Sequence, residues 1–212
     1  MTEMLGRLHV LTDARAGRDT IGVTAQAVEA GAPVVQLRVK GCTDRELYDL
    51  GTRLMAICAS HGATCIVNDR VDIALAIGAH GTHLGADDLS VTAVRRVAGP
   101  GHLIGGTARE PRHAAELVAE GADYLGVGPA YETSTKDGLP APLGPEGIGA
   151  VARAVAVPVI AIGGITTERV RPLVDAGAHG VAVVTAITDS VDPAAATRSL
   201  LAALTEASCR TS

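Results

Sequence analysis

Two aspartates, a short run of alternating cations and a pair of glycines carry most of the chemistry this chain could perform. In Gln36-Leu37-Arg38-Val39-Lys40 an amide and two cations occupy every second position, which places them on one side of an extended chain. Such a set suits a pyrophosphate, because arginine grips it with two parallel N–H donors while lysine supplies a point charge. The alternative is a structural ion pair with neighbouring acids, since bare charges at the end of a buried strand are costly. Acids do follow, in Asn68-Asp69 and in Gly85-Ala86-Asp87-Asp88. Asp69 and Asp88, with no His or Cys beside them, suit Mg²⁺, which keeps several waters and completes its shell with substrate phosphate. Asp69 and Asp87 could instead cap the helices that follow them.

A second anion site is expected further along. Ile162-Gly163-Gly164-Ile165-Thr166 and Val183-Val184-Thr185 each close an apolar run. Paired glycines let backbone N–H groups approach an oxyanion, and Thr185 adds a hydroxyl. Between these regions the stretch Gly128–Pro145 is longer than an ordinary βα connection, and loops of that length are often lids. It carries Thr133, Ser134 and Thr135 beside Lys136, the composition of an anion clamp; a solvated loop is the competing reading.

The elements that must position these residues recur regularly. Short β-branched runs at Leu8–Thr12, Val34–Leu37, Thr64–Val67, Gly81–Leu84, Leu103–Gly106, Tyr124–Val127, Val159–Ile162 and Gly180–Val184 read as strands. Helical stretches lie between them. In Thr43–Ser60, Thr43 can cap the helix and Leu47, Leu50, Leu54 and Ile57 form an apolar stripe. Gly-Ala recurs at Gly31, Gly62, Gly78, Gly121 and Gly177, each just before a strand, where a left-handed glycine would end the preceding helix. Strict alternation predicts a single-domain (β/α)8 TIM barrel over the whole chain, with the phosphate site after strands 7 and 8. A doubly wound open sheet is the alternative, but its G-x-G-x-x-G does not follow the first strand. His83, inside strand 4, reads as a packed histidine, and His61 sits where a helix C-terminus favours positive charge.

Composition limits the function. The chain has 212 residues, three Tyr, no Trp and no Phe, so its core must be built of Val, Ile, Leu and Ala. Few aromatics argue against single-stranded nucleic-acid binding, and a net charge of −5 leaves no basic footprint for a duplex. Cys42, Cys58, Cys65 and Cys209 have no zinc-finger spacing and are expected to be free thiols in a cytoplasmic protein. No segment approaches the ~20 apolar residues of a membrane span, and the early first strand leaves no room for a secretory leader.

Taken in order, Gln36-x-Arg38-x-Lys40, Asn68-Asp69, His83-x-Gly85-x-x-Asp88, Gly128-Pro-x-Tyr-x-Thr133-x-Thr135-Lys136, Gly163-Gly164-Ile165 and Val184-Thr185 resemble the thiamine phosphate synthase family. The resemblance implies joining of a hydroxymethylpyrimidine pyrophosphate to a thiazole phosphate, with pyrophosphate leaving before the thiazole nitrogen captures a pyrimidinylmethyl cation. It implies one Mg²⁺ on Asp69 and Asp88, with Arg38, Lys40, Asn68, Thr107 and Lys136 around the pyrophosphate. Arg38, Lys40 and Lys136 would then be the catalytic cations. Gln36 would orient the pyrimidine end, and Thr133, Thr135, Gly164, Val184 and Thr185 would hold the thiazole phosphate. Three positions depart from the family pattern: Val39 replaces an acid, Thr107-Ala108-Arg109 replaces Ser-x-His, and Ala86 replaces Gln. The related thiazole tautomerase resembles the chain in the strand 7 and 8 site, but uses His where Pro129 stands. A non-catalytic binder of thiamine phosphates is the third reading.

Overall fold

Each Gly-Ala pair turns a helix into a strand by the same device. In the computed structural model, which describes residues 5–12, 19–133, 138 and 140–209, Gly31, Gly62, Gly78, Gly121 and Gly177 all have positive φ. The glycine N–H donates to the carbonyl three residues back, and the alanine N–H to the carbonyl five back, as in Gly177 to Val174 and Ala178 to Leu173. This double closure satisfies the last carbonyls of the helix and aims the chain back into the sheet.

The elements so joined are β1 (Leu8–Leu11), α1 (Thr20–Glu29), β2 (Val34–Leu37), α2 (Asp44–His61), β3 (Thr64–Asn68) and α3 (Val71–Ala76). They continue as β4 (Gly81–Leu84), α4 (Val91–Ala98), β5 (Leu103–Ala108), α5 (Pro111–Ala119), β6 (Tyr124–Val127) and α6 (Gly144–Ala154). The last are β7 (Val159–Ile162), α7 (Thr167–Asp175), β8 (Gly180–Val183), the single turn α8 (Thr185–Thr188) and α9 (Pro193–Ser208). The strands form one closed barrel in sequence order. It closes where β1 pairs in parallel with β8, His9 opposite Ala182 and Val10 opposite Val183. With no open edge, the doubly wound alternative is excluded.

Boundaries differ from the sequence reading in informative places. β3 runs on to Asn68 because Asn68 pairs with His83, and β5 to Ala108 because Thr107 and Ala108 pair with Gly126 and Val127. Thr12 and Val184 fall just outside their strands. Helix α6 begins at Gly144, with Pro145 in its first turn, where no N–H is needed. Helix α2 opens on Thr43, whose hydroxyl accepts from Glu46 N while the Glu46 carboxylate accepts from Thr43 N.

Two clusters of aliphatic side chains fill the space between strands and helices. A third, with Leu11, Val34, Ile66, Ile160 and Ala182, packs the barrel interior around Tyr124. At the N-terminal ends of the strands, Arg95 of α4 binds Asp123 at 2.6 Å and donates to the carbonyls of Gly99, His102 and Gly121. The Asp123 carboxylate also accepts from Ile104 N at 2.8 Å, so this face of the barrel is stapled by structural polar groups.

The interior also contains a polar chain. The Tyr124 hydroxyl meets His83 Nδ1 at 3.1 Å, and His83 Nε2 meets Thr107 Oγ1 at 3.0 Å. Both His9 and His83 are fully buried, and burial pushes each ring down to about 4. They are therefore neutral at neutral pH, and His83, carrying one N–H, donates to one neighbour and accepts from the other. Gly105 and Gly126 make the slot for these rings. A Cβ on Gly126 would come within 2.9 Å of His83 Cε1, and one on Gly105 within 2.5 Å of His83 Nδ1 and into the Tyr124 ring. Gly105→Ala should therefore lose at least about 2 kcal/mol in chemical denaturation, the cost of an overpacked core. Unchanged stability would show that the slot relaxes freely.

Candidate active site

The aspartates stand where β3 and β4 reach the C-terminal rim. Asp69 is the one non-glycine among the described residues with positive φ, at 64°. Around it Arg70 N donates to Asn68 O at 2.7 Å, a γ-turn in its strained form. Asp69 N is fixed by donating to His83 O at 2.8 Å, which extends the β3–β4 ladder by one bond. Asp88 is held by its own loop, one carboxylate oxygen accepting from Gly85 N at 2.6 Å.

The two carboxyl groups meet across the rim. Burial, followed by hydrogen bonding and repulsion from Asp88, pushes the Asp69 carboxyl up to about 7, and Arg38 and Lys40 partly offset this. Neither aspartate that might have been a cap is one. The cap of α3 is Arg70, without a side-chain bond, and that of α4 is Ser90, whose hydroxyl accepts from Ala93 N.

Arg38 and Lys40 lie past the end of β2. Among the described residues neither closes an ion pair at contact distance, yet both lie near enough to Asp69 to act on its carboxyl. Thr12 ties the start of this segment to β1, its hydroxyl donating to Arg38 O and accepting from Arg38 N. Gln36 lies deeper, 4% exposed, near the Tyr124 hydroxyl, on which it acts. Asn68 ends β3 half-buried, opposite His83. Thr107 ends the interior chain at the rim, its hydroxyl on His83.

Across the barrel mouth the second set gathers after β6, β7 and β8. Gly163 and Gly164 have φ of 100° and 63°, and both are pressed by the connection after β6. A Cβ on Gly163 would lie 2.7 Å from that of Pro129, and one on Gly164 2.9 Å from that of Tyr131. Ala130 N donates to Ile162 O at 2.7 Å and Tyr131 N to Gly163 O at 3.0 Å. The glycines thus serve close approach of two backbones, a role the anion reading of the pair did not include. Thr133 is half-buried beyond this paired stretch. Val184 and Thr185, both half-buried, join β8 to α8; that turn had no counterpart in the sequence reading because four residues are too few to show a period. Thr135 and Lys136 lie outside the described residues.

Sequence reasoning missed two arginines. Arg109 gives both terminal nitrogens to backbone carbonyls, Gly128 O at 2.7 Å and Ala141 O at 2.9 Å. Arg169 donates to Gly164 O at 2.7 Å and stacks 4.6 Å over the Tyr131 ring. Only the tertiary pairing of β5, β6 and β7 brings these partners together, so no local pattern marks them.

The family model described as thiamine monophosphate synthase matches residues 8–187. The thiamine-phosphate synthase of Salinispora tropica is 53% identical over 204 residues, covering 95% of this chain and 98% of its own. That of Haloquadratum walsbyi is 46% identical over 209 residues, covering 98% and 94%. Among solved structures, thiamine phosphate pyrophosphorylase from Pyrococcus furiosus superposes with a TM-score of 0.89 at 32% identity, covering 98% of this chain and 99% of that one. A match over nearly the whole barrel, with the rim residues in their expected order, makes this chain a member of the thiamine-phosphate synthase family.

Proposed function

We propose that the chain joins a hydroxymethylpyrimidine pyrophosphate to a thiazole phosphate, giving thiamine phosphate and pyrophosphate, with Mg²⁺ held by Asp69 and Asp88. The observation that carries this reading is the pair of carboxyl groups at one rim with Arg38 and Lys40 beside them. Two carboxylates this close repel, and a divalent cation between them removes the penalty. Among the described residues no third His, Cys, Asp or Glu joins the pair. That donor set suits a hard cation completing its shell with water and phosphate rather than zinc in a closed cage. When bound, the ion supplies positive charge to the leaving pyrophosphate.

The protein's own groups share that task. Arg38 and Lys40 approach the pyrophosphate from β2, Asn68 and Thr107 from β3 and β5, and Lys136 from the connection after β6. Cations fixed in advance stabilise the charge that develops on a departing phosphate without reorganising during the step. Gln36, buried on Tyr124, makes with it and His83 the floor under the pyrimidine end. On the far side Thr133, Thr135, Gly164, Val184 and Thr185 take the thiazole phosphate, and two anchored anions bring the reacting carbon and nitrogen together. No strong base is required, and the interior histidines, neutral and committed to hydrogen bonds, offer none.

Pro129 has no titratable side chain, which disfavours the isomerase reading. We place the enzyme in the cytoplasm, where free Cys42, Cys58, Cys65 and Cys209 stay reduced. Among the described residues no helix is long and apolar enough to cross a membrane.

A single-turnover assay with both substrates should release pyrophosphate in Mg²⁺, stop in excess chelator and resume when the ion is restored. Release undiminished by chelator would remove the metal from the mechanism, and no release under any condition would favour the non-catalytic binder. Lys136→Ala should lower kcat about 100-fold, the size of one lost transition-state contact, with the melting temperature unchanged. A steep fall in melting temperature with kcat retained would make Lys136 structural.

A further inference from the structure

The connection between β6 and α6 is tied to itself and to β7 by backbone bonds. Leu143 N donates to Pro129 O at 2.9 Å and Gly144 N to Ala130 O at 3.0 Å, closing its neck. The ladder from Ala130 and Tyr131 to Ile162 and Gly163, with Arg169 on Gly164 O, fastens that neck to β7. On the side facing β5 the fastening is a side chain. Arg109 stands just past the end of β5, and its two terminal nitrogens reach Gly128 O on the outgoing leg and Ala141 O on the returning leg.

We propose that Arg109 is a positioning residue that sets the spacing between the two substrate sites. It follows Thr107, on the pyrophosphate side, by two places in the same chain segment, and it holds both legs of the connection that presents Thr133 on the thiazole side. This inference rests on the assignment of Thr133 and Gly164 to the thiazole phosphate. A planar guanidinium spans two carbonyls in fixed directions, whereas a lysine ammonium is a single point on a flexible stem. An imidazole at this place would have too little reach and too few donors to hold both legs at once. Arg109 thereby keeps two anchored anions at reacting distance. Small displacements between bound reactants cost rate steeply.

The test is steady-state kinetics on Arg109→Ala and Arg109→Lys with each substrate varied in turn. In Arg109→Ala, kcat/KM for the thiazole phosphate should fall about tenfold or more, while KM for the pyrimidine pyrophosphate holds. Guanidinium chloride at millimolar concentration should restore part of the loss in Arg109→Ala, and ammonium chloride at equal ionic strength should not. Arg109→Lys should recover less than half of it. Unchanged kinetics, or an equal fall for both substrates without guanidinium rescue, would overturn the proposal. Thr133→Ala separates the two levels of the argument. A raised thiazole phosphate KM there, beside unchanged kinetics in Arg109→Ala, overturns the role of Arg109 alone. An unchanged KM in Thr133→Ala overturns the placing of the thiazole phosphate itself.

Discussion

Closure of the sheet by pairing β1 with β8 is the constraint from which the site follows. In an all-parallel barrel every strand ends on the same rim, so residues far apart in sequence converge without a dedicated scaffold. Here the rim receives Arg38, Asn68, Asp69, Asp88, Thr107, Gly164 and Thr185, the ends of six different strands or their loops. The opposite rim is spent on stability: Arg95, Asp123 and the carbonyls around them occupy it. A substitution at one end bears on chemistry and at the other on folding.

A barrel must also be filled, and this chain fills it with few large rings. Aliphatic side chains suffice for most layers, but the middle of the interior is taken by Tyr124, His83 and His9, ring centroids 5.5 Å apart in each His–Tyr pair. Glycines at 105 and 126 give up their Cβ to make room. Polar groups this deep are tolerated because they satisfy one another. The chain of bonds ends at Thr107, so a packing solution for the interior also fixes a rim hydroxyl.

The architecture was legible because helix and strand periods alternate cleanly and Gly-Ala marks the ends of helices. Strand ends were less so, since β3 and β5 are prolonged by pairing with neighbours whose register no local pattern reveals. The aspartates were recognised from residue type and place, while their mutual approach is a tertiary fact. Capping, a fair reading of Asp69, fails because the residue sits in a γ-turn with the helix starting beyond it. The role of Arg109 was not legible, because the backbone carbonyls it binds carry no sequence signal at all.

Asp69 shows how the fold sustains a costly residue. Its backbone is in a region that non-glycine residues avoid, and its carboxyl faces another acid. The backbone conformation alone costs on the order of 1–3 kcal/mol. Both persist because the position is held from two sides, by the donor bond from its N–H to His83 O and by the start of α3, whose Val71 N donates to Asp69 O at 3.1 Å. Glycine would relieve the backbone but remove the carboxylate, and asparagine would remove the repulsion but also the charge. Of these residues only aspartate keeps both the tight turn and a carboxyl facing Asp88.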